Sequence, residues 1–159
     1  MNDSLNVMES VVAQVGKGFP DVIRPKGRLK IETFGPMGEL LSTIQLDNTI
    51  TTAGHNDLAD RILPAPTTAK PSQMAIGTGT PTGTALGAEI SRVAFSSITR
   101  LANVVTIVAN WATGVGTGTI TEAGIFNAAT AGDMWTSSSF AAVTKGPNDT
   151  LQITWTLTT

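Results

Sequence analysis

The sequence contains no cysteine and no tyrosine, it has a single histidine, and charged residues make up only 14% of its 159 residues. The absence of cysteine excludes disulfide bonds, thiolate nucleophiles and cysteine-ligated metals, and it leaves the redox compartment open. A single histidine also excludes histidine-rich metal sites. Stability is therefore expected to come from packing or from assembly with other subunits.

The few charges are balanced, because 10 basic residues face 12 acidic ones and the formal net charge is -2. Neither sign forms a run that could follow a phosphate backbone or an anionic membrane, so the sequence predicts neither a nucleic-acid partner nor a membrane partner. No stretch approaches the ~18 apolar residues of a transmembrane helix, and the N-terminus does not resemble a signal peptide. We expect the chain to stay in the cytoplasm in which it is made.

Threonine is abundant, and the chain contains 16 glycines. Threonine is β-branched and suits a pleated, half-buried surface, which predicts a mainly β protein. A chain of this length fits one domain and an additional arm. A weakly charged surface rich in Thr, Ala and Ser is unusual for a free monomer. It indicates either a surface that neighbouring subunits cover or a soluble β-domain with few surface charges.

Residues 1–27 are predicted to form an N-terminal helix and an extended arm. Leu5, Met8, Val12 and Val15 recur at helical spacing, and glycines and prolines then end the pattern. A helix this short is marginal in water unless its apolar stripe has a surface to lie on. We therefore take these four residues as a candidate assembly arm, which packs either on its own domain or on another subunit.

Residues 28–159 are predicted to form a single β-rich domain. Alternating patterns over residues 28–34 and 40–46, joined by the turn Gly35-Pro36-Met37-Gly38, predict a β-hairpin. Thr51 or Thr52 then begins a helix that Pro64 ends. The residues predicted to share one face of this helix are Ala53, Leu58, Ala59, Ile62 and Leu63.

The second half of the domain is predicted to be a β-meander or one half of a sandwich. A short buried strand at Met74-Ala75-Ile76 precedes a glycine-threonine loop, and the last strand alternates most clearly between apolar and polar residues. Further strands are predicted over residues 92–98, 104–111, 119–127, 134–140 and 151–157. The predicted core residues are Leu29, Ile31, Ile76, Val104, Ile125, Phe126, Leu151, Ile153 and Trp155. The expected fold is mainly β, a β-sandwich or barrel-like domain with one short internal helix and an N-terminal helical arm.

Several short motifs occur together in this domain. They are Met74-Ala75-Ile76-Gly77-Thr78-Gly79, Ala85-Leu86-Gly87, Thr121-Glu122-Ala123-Gly124-Ile125-Phe126-Asn127-Ala128, and Val143-Thr144-Lys145 followed by Leu151-Gln152-Ile153-Thr154-Trp155-Thr156. In this combination the sequence resembles a module of structural proteins of tailed bacteriophages. A polar turn and a Gly-His-Asn-Asp-Leu-Ala helix within residues 48–63 also fit such proteins. The resemblance extends over residues 28–159 and leaves out the arm.

The resemblance implies a structural subunit located in the virion. Capsid decoration needs a surface complementary to the shell or to other copies, together with an ordered arm, and both can be inferred from this sequence. We therefore expect a capsid decoration or cement protein whose partners are the major capsid protein and neighbouring copies, for instance in a trimer. The alternative is a tail-fibre or tail-adaptor subunit with tail proteins as partners and a carbohydrate receptor. A fibre would usually add a long repeat or a receptor tip, and this chain is too short for both.

The candidate catalytic residues are few, and we expect no enzyme. His55 lies near Asp57 and Asp60, but no Gly-x-Ser-x-Gly elbow supplies a nucleophile, so a histidine near the helix N-terminus satisfied by the backbone is predicted. Glu122 has no second carboxylate at a spacing typical of glycoside hydrolysis. We expect Glu122 to be structural and bound by a backbone amide or by a basic residue, and the basic candidates are Arg92 and Arg100.

The glycine-rich segments and the tryptophans do not predict a ligand site either. Residues 77–83 and 114–118 lack the spacing of phosphate-binding loops, so both are predicted to be turns. Trp111, Trp135 and Trp155 could stack on sugars, but Trp155 lies on the predicted apolar face and is expected in the core. The sequence therefore assigns no catalytic, cofactor or metal-binding residue.

Overall fold

A computed structural model describes residues 25–159, which form two antiparallel sheets and one short helix. The predicted arm residues Leu5, Met8, Val12 and Val15 lie outside the described residues. The strands are β1 (Lys26–Phe34), β2 (Leu40–Asp47), β3 (Thr49–Ile50), β4 (Gln73–Gly77), β5 (Glu89–Ala94), β6 (Ser97–Leu101), β7 (Val104–Trp111), β8 (Gly118–Phe126), β9 (Met134–Lys145) and β10 (Thr150–Thr158), and the helix is α1 (Thr52–Asp60).

The two sheets form a sandwich that is continuous at both edges. Sheet A has the strand order β2-β1-β10-β7-β6, and sheet B has the order β3-β9-β8-β4-β5. One residue separates β2 from β3, and two residues separate β5 from β6, so the chain passes from one sheet to the other at each edge. The predicted fold class, a mainly β sandwich or barrel-like domain with a short internal helix, is confirmed.

The core lies between the facing sides of the two sheets. Sheet A contributes Leu29, Ile31, Ile107, Ala109, Trp111, Leu151, Ile153, Trp155 and Leu157, and sheet B contributes Met74, Ile76, Ile120, Ala123, Ile125 and Val143. A smaller cluster of Ala75, Leu86, Phe126 and Met134 is separate from this core. Alternating side chains point to opposite faces of a strand, which places this cluster on the outer face of sheet B. All the predicted core residues are buried except Val104.

The prediction that Val104 is a core residue is wrong. The inward positions of β7 are Ile107, Ala109 and Trp111, and the two-residue period therefore puts Val104 on the outer face, where it is half-buried. Val104 and Val105 are both apolar, so the sequence alone did not fix the phase of alternation at the start of this strand.

The sequence had predicted a single strand over residues 92–98, but these residues belong to two strands. β5 ends at Ala94 in sheet B, and β6 begins at Ser97 in sheet A. Between them the Phe95 amide donates to the carbonyl of Ser72 and the Ser96 amide donates to the carbonyl of Val108, so the chain changes partners here. The predicted meander or sandwich half is also wrong, because β7 and β10 lie in sheet A while β8 and β9 lie in sheet B.

Helix α1 docks through polar contacts and not through the predicted apolar face. It ends at Asp60, so Ile62 and Leu63 lie beyond it, and their side chains are 83% and 52% exposed. The buried helical residues are Gly54 and Asp57. A Cβ on Gly54 would lie 2.1 Å from the carbonyl oxygen of Trp135, so glycine permits the close approach to β9.

Thr51 is the N-cap of α1, as one of the two predicted alternatives. Its hydroxyl accepts a hydrogen bond from the Gly54 amide at 3.1 Å and also donates to the carbonyl of Met134. The same side chain therefore satisfies an orphan helix amide and ties the helix to the sheet.

Candidate interaction site: a surface loop anchored on Glu122

A buried carboxylate organises the outer face of sheet B. Glu122 lies on β8, and its side chain is fully buried. It faces Gly77 on β4, where an added Cβ would lie 2.3 Å from the Glu122 carboxylate, so a glycine leaves the space that the acid occupies. A buried charge is costly unless hydrogen bonds satisfy it, and the partners of this carboxylate define the site.

Three backbone amides bind the Glu122 carboxylate. Gly79 donates to Oε1 at 3.0 Å, Ala88 donates to Oε1 at 2.8 Å, and Gly87 donates to Oε2 at 2.8 Å. The neighbouring Thr121 hydroxyl donates to the carbonyl of Gly79 at 2.8 Å. Hydrogen bonds to an ionised acceptor are stronger than neutral ones, so this one side chain holds both ends of the segment 78–88 together.

The prediction that a backbone amide binds Glu122 is confirmed, whereas neither basic candidate binds it. Arg92 pairs with Glu89 and lies over the ring of Phe126, with its guanidinium carbon 3.7 Å from the ring centroid. Arg100 donates to the carbonyl of Ala102 at 2.8 Å. Both arginines therefore bind other groups, and the carboxylate of Glu122 is bound by backbone amides.

Residues 78–88, which we call the anchored loop, expose most of their side chains. Within this loop Leu86 is buried, where it joins the small apolar cluster on the outer face of sheet B. A turn at the tip is closed by Thr82, whose amide donates to the carbonyl of Ala85 at 2.8 Å and whose hydroxyl accepts from the Ala85 amide at 3.1 Å. The loop is therefore fixed from within while its threonines face solvent.

Both glycine-rich segments are turns, as predicted. In the first, the amides of Gly79 and Gly87 already point at the Glu122 carboxylate, so they are not free to cradle a phosphate. In the second, Gly114 and Gly116 have φ angles of +76° and +63°, which L side chains rarely adopt. These glycines are required by backbone geometry.

A groove separates the anchored loop from the N-terminus of α1. Its volume is about 400 Å³. Its lining consists of Thr49, Ile50, Thr51, Thr52, Pro81, Thr82, Gly83, Ser137, Ser138 and Ser139. Hydroxyl groups dominate this lining, and no charged or aromatic side chain contributes to it. The groove can offer hydrogen bonds but has no ring on which a sugar could stack.

Asp57 is a structural anchor of helix α1. Its carboxylate is buried, and it accepts hydrogen bonds from the indole Nε1 of Trp135 at 2.9 Å and from Nε of Arg61 at 3.2 Å. Arg61 also donates to the carbonyl of Thr68 at 3.0 Å. The charge of Asp57 is thus paired, and the nitrogen of Trp135 is committed to it.

Asp60 points to a different set of partners. The hydroxyl and amide of Thr68 and the amide of Thr67 donate to its carboxylate. These hydrogen bonds, with that of the Thr68 hydroxyl first, hold the pKa of Asp60 well below its usual range. The carboxylate is therefore fixed in its ionised form as an organiser of the loop that follows α1.

His55 does not converge with these acids. Its side chain is exposed, and in the described part of the chain its backbone amide alone forms a hydrogen bond, to the carbonyl of Thr51 at 3.0 Å. The prediction of backbone satisfaction is therefore wrong for the imidazole. Asp57 and Asp60 each accept hydrogen bonds from other donors, and within residues 25–159 neither is hydrogen-bonded to the imidazole of His55.

Two of the three tryptophans belong to the core. Trp111 and Trp155 are fully buried, which confirms the prediction for Trp155. Both indole nitrogens lack a hydrogen-bond partner within residues 25–159. Neither ring is available to a ligand, and each buries an N–H donor at some cost to stability.

Lys145 is a buried charged residue that was not predicted from the sequence. Its Nζ donates to the carbonyl of Ala112 at 2.9 Å, and burial lowers the pKa of its ammonium group while nearby Asp149 acts in the opposite direction. Two-residue alternation from the buried Val143 was the available signal, because it places Lys145 on the same face of β9.

No group of three or more His, Cys, Asp or Glu side chains in the described part of the chain could hold a metal ion. No helix among residues 25–159 is long and apolar enough to cross a bilayer. Comparisons of the chain with models of protein families, with curated proteins and with solved structures found no match.

Proposed function

We propose that this protein is a structural subunit of a tailed-phage virion, namely a capsid decoration protein that stabilises the head by binding the major capsid protein and neighbouring copies. The observation that carries the proposal is the convergence of three separate motifs on one carboxylate. Gly79, Gly87 and Glu122 each come from a different segment of the resemblance, and they meet in a single hydrogen-bonded unit. The motifs thus share a structural role, which is to hold a surface loop in one conformation.

A preorganised loop suits a protein that binds to a capsid shell. A loop that is already ordered before binding loses little conformational entropy on association, so more of the contact energy appears as affinity. The anchored loop is held by a buried carboxylate while its threonines remain exposed, as a docking element requires. We therefore assign this loop to the contact with the shell or with a neighbouring copy.

The exposed aliphatic residues also support the proposal that the protein is part of an assembly. Met37, Ile62 and Leu101 are 94%, 83% and 82% exposed, respectively. Single exposed aliphatics are ordinary, but here they accompany a surface with few charges, and such surfaces are typical of interfaces.

The alternative function is that of a tail-fibre or tail-adaptor subunit with a carbohydrate receptor. The hydroxyl-lined groove beside the anchored loop is the place where a polyhydroxyl ligand would bind. The burial of Trp111 and Trp155 counts against this alternative, because neither ring can form a stacking platform.

Copy number in purified particles tests the proposal. Quantitative mass spectrometry would compare this protein with the major capsid protein of the same particles. A head decoration protein is expected near one copy per capsid subunit, or at a simple fraction of it. A much smaller ratio would favour the tail alternative, and absence from particles would overturn both.

A further inference from the structure

The two sheets differ in how their outer faces are covered. Helix α1 and the anchored loop lie over the outer face of sheet B, through contacts with β9 and through Leu86. On the outer face of sheet A, side chains such as Thr106, Thr154 and Thr156 are only half-buried, and among residues 25–159 the helix contacts β9 of sheet B and not this sheet. This face is open in the described part of the chain.

The open face carries a short aliphatic strip at one end. The strand register places Lys26, Thr158, Val104 and Leu101 side by side across sheet A. Val108 lies on the same side of β7, because it is four positions along the strand from Val104. Leu101 is 82% exposed and both valines are half-buried. We call Leu101, Val104 and Val108 the outer strip.

The predicted apolar stripe of the N-terminal segment matches the outer strip in length. From Leu5 to Val15 an α-helix would rise ~15 Å at 1.5 Å per residue. From Val104 to Val108 a strand spans ~13 Å at 3.3 Å per residue. We propose that residues 5–15 of one copy dock on the outer strip of a neighbouring copy, an inference that rests on the proposed function.

Charge is also complementary between the two surfaces. Asp3 and Glu9 are the charged residues of the segment before Lys17, so its first part is acidic. Lys26 on β1 is exposed in the same cross-strand row as Val104 and Leu101. Opposite charges at the rim of an apolar contact steer association and fix its orientation.

The length of the chain before β1 allows the arm to reach a neighbouring copy. β1 begins at Lys26, in the same cross-strand row as Val104 and Leu101, so the chain enters sheet A at the end where the strip lies. The ten residues between Val15 and Lys26 span at most ~36 Å, which is enough to reach an adjacent subunit.

Contacts of this kind close into a ring when rotation relates the copies. The donated segment and the accepting strip are different surfaces, so the interface is heterologous, and such interfaces build either closed rings or open filaments. A trimer in which each copy gives its arm to the next would satisfy every arm and every strip.

The absence of cysteine from the chain permits a direct test by disulfide trapping. Full-length Met8→Cys is mixed with a size-tagged full-length Val104→Cys, and the pair is oxidised mildly and separated without reductant. The matched control replaces Val104→Cys by Gln45→Cys, which is exposed on the same outer face but on β2, at the other edge of sheet A. We expect the mixed disulfide to form several-fold more with Val104→Cys than with Gln45→Cys.

Each outcome decides the proposal. Preferential mixed disulfide with Val104→Cys supports arm exchange between copies. A disulfide that forms only within a Met8→Cys/Val104→Cys double variant would show that the arm folds back on its own domain, and this overturns the proposal, as does no preference over the control. Because the test needs no particles, its failure is separate from failure of the proposed function, which is judged by copy number.

Discussion

Replacement of Trp155 by alanine is the sharpest test of the fold. Trp155 lies on β10, the central strand of sheet A, between Leu29 on β1 and Ile107 on β7, and its side chain is fully buried. Removing a large buried aromatic side chain costs ~3–5 kcal/mol, because both the transfer energy and the packing around the new cavity are lost.

The indole nitrogen of Trp155 moderates this cost. Its N–H has no hydrogen-bond partner among residues 25–159, so the native state already bears part of a penalty of ~1–3 kcal/mol that the substitution removes. We therefore expect Trp155→Ala to destabilise by ~3 kcal/mol, at the lower end of the range. For a domain of this size that corresponds to a melting temperature lower by ~6–12 °C.

Two further variants separate packing from the unsatisfied donor. Trp155→Phe keeps a large ring and deletes the N–H, so its cost should stay below ~1.5 kcal/mol. Thr154 lies on the opposite, half-buried face of the same strand, and Thr154→Ala should change the free energy of unfolding by less than ~1 kcal/mol. Thermal and urea denaturation followed by circular dichroism measure all three. An unchanged melting temperature in Trp155→Ala would refute the assigned strand phase and core.

Four other outcomes are expected. Glu122→Gln should lower the free energy of unfolding by ~2–4 kcal/mol, because the side chain loses its charge while three amides still point at it. Amide hydrogen exchange should then rise in the anchored loop, whereas the control Glu89→Gln should leave the exchange of that loop's amides unchanged. Asp60 has a folded-state pKa below its unfolded value of 3.8, so its contribution to stability is complete above pH 3.8 and is lost as the pH falls through the folded-state pKa. In urea titrations Asp60→Asn should therefore be less stable than the native chain at pH 7, and the difference should shrink below pH 3.8. The purified protein should not hydrolyse host polysaccharide or peptidoglycan, and an activity that disappears in His55→Ala would contradict this. Removal of residues 1–18 should leave a folded β-domain that binds particles weakly and does not protect them against heat; equal protection by the truncated protein would reassign the arm as a cap on its own domain.

Local patterns in the sequence determined the elements whose two faces differ. The alternation of Leu151, Ile153 and Trp155 with polar residues predicted β10 and its buried side, and the glycine-proline turn after residue 34 predicted the hairpin of β1 and β2. Thr51 was available as an N-cap because a threonine hydroxyl can satisfy a free helix amide wherever the helix later packs. These features depend on residues close in sequence.

Tertiary structure alone decided the rest, because it depended on partners far along the chain. The break between β5 and β6 is made by the carbonyls of Ser72 and Val108, which take up the amides of Phe95 and Ser96. No local pattern marks that change of sheet. The outward position of Val104 likewise follows from the register of β7 with its neighbours, since two adjacent valines fit either phase equally well.

At the candidate site, too, one part could be predicted from the sequence and another part was decided by the tertiary structure. The sequence was enough to predict that Glu122 is held by hydrogen bonds, since a lone acid in an apolar strand must be satisfied when it is buried. Which groups satisfy it was decided by the sandwich, which brings the amides of Gly79, Gly87 and Ala88 to β8 from 34 to 43 residues away. A carboxylate can accept from any donor, so its partners are set by where the fold places them.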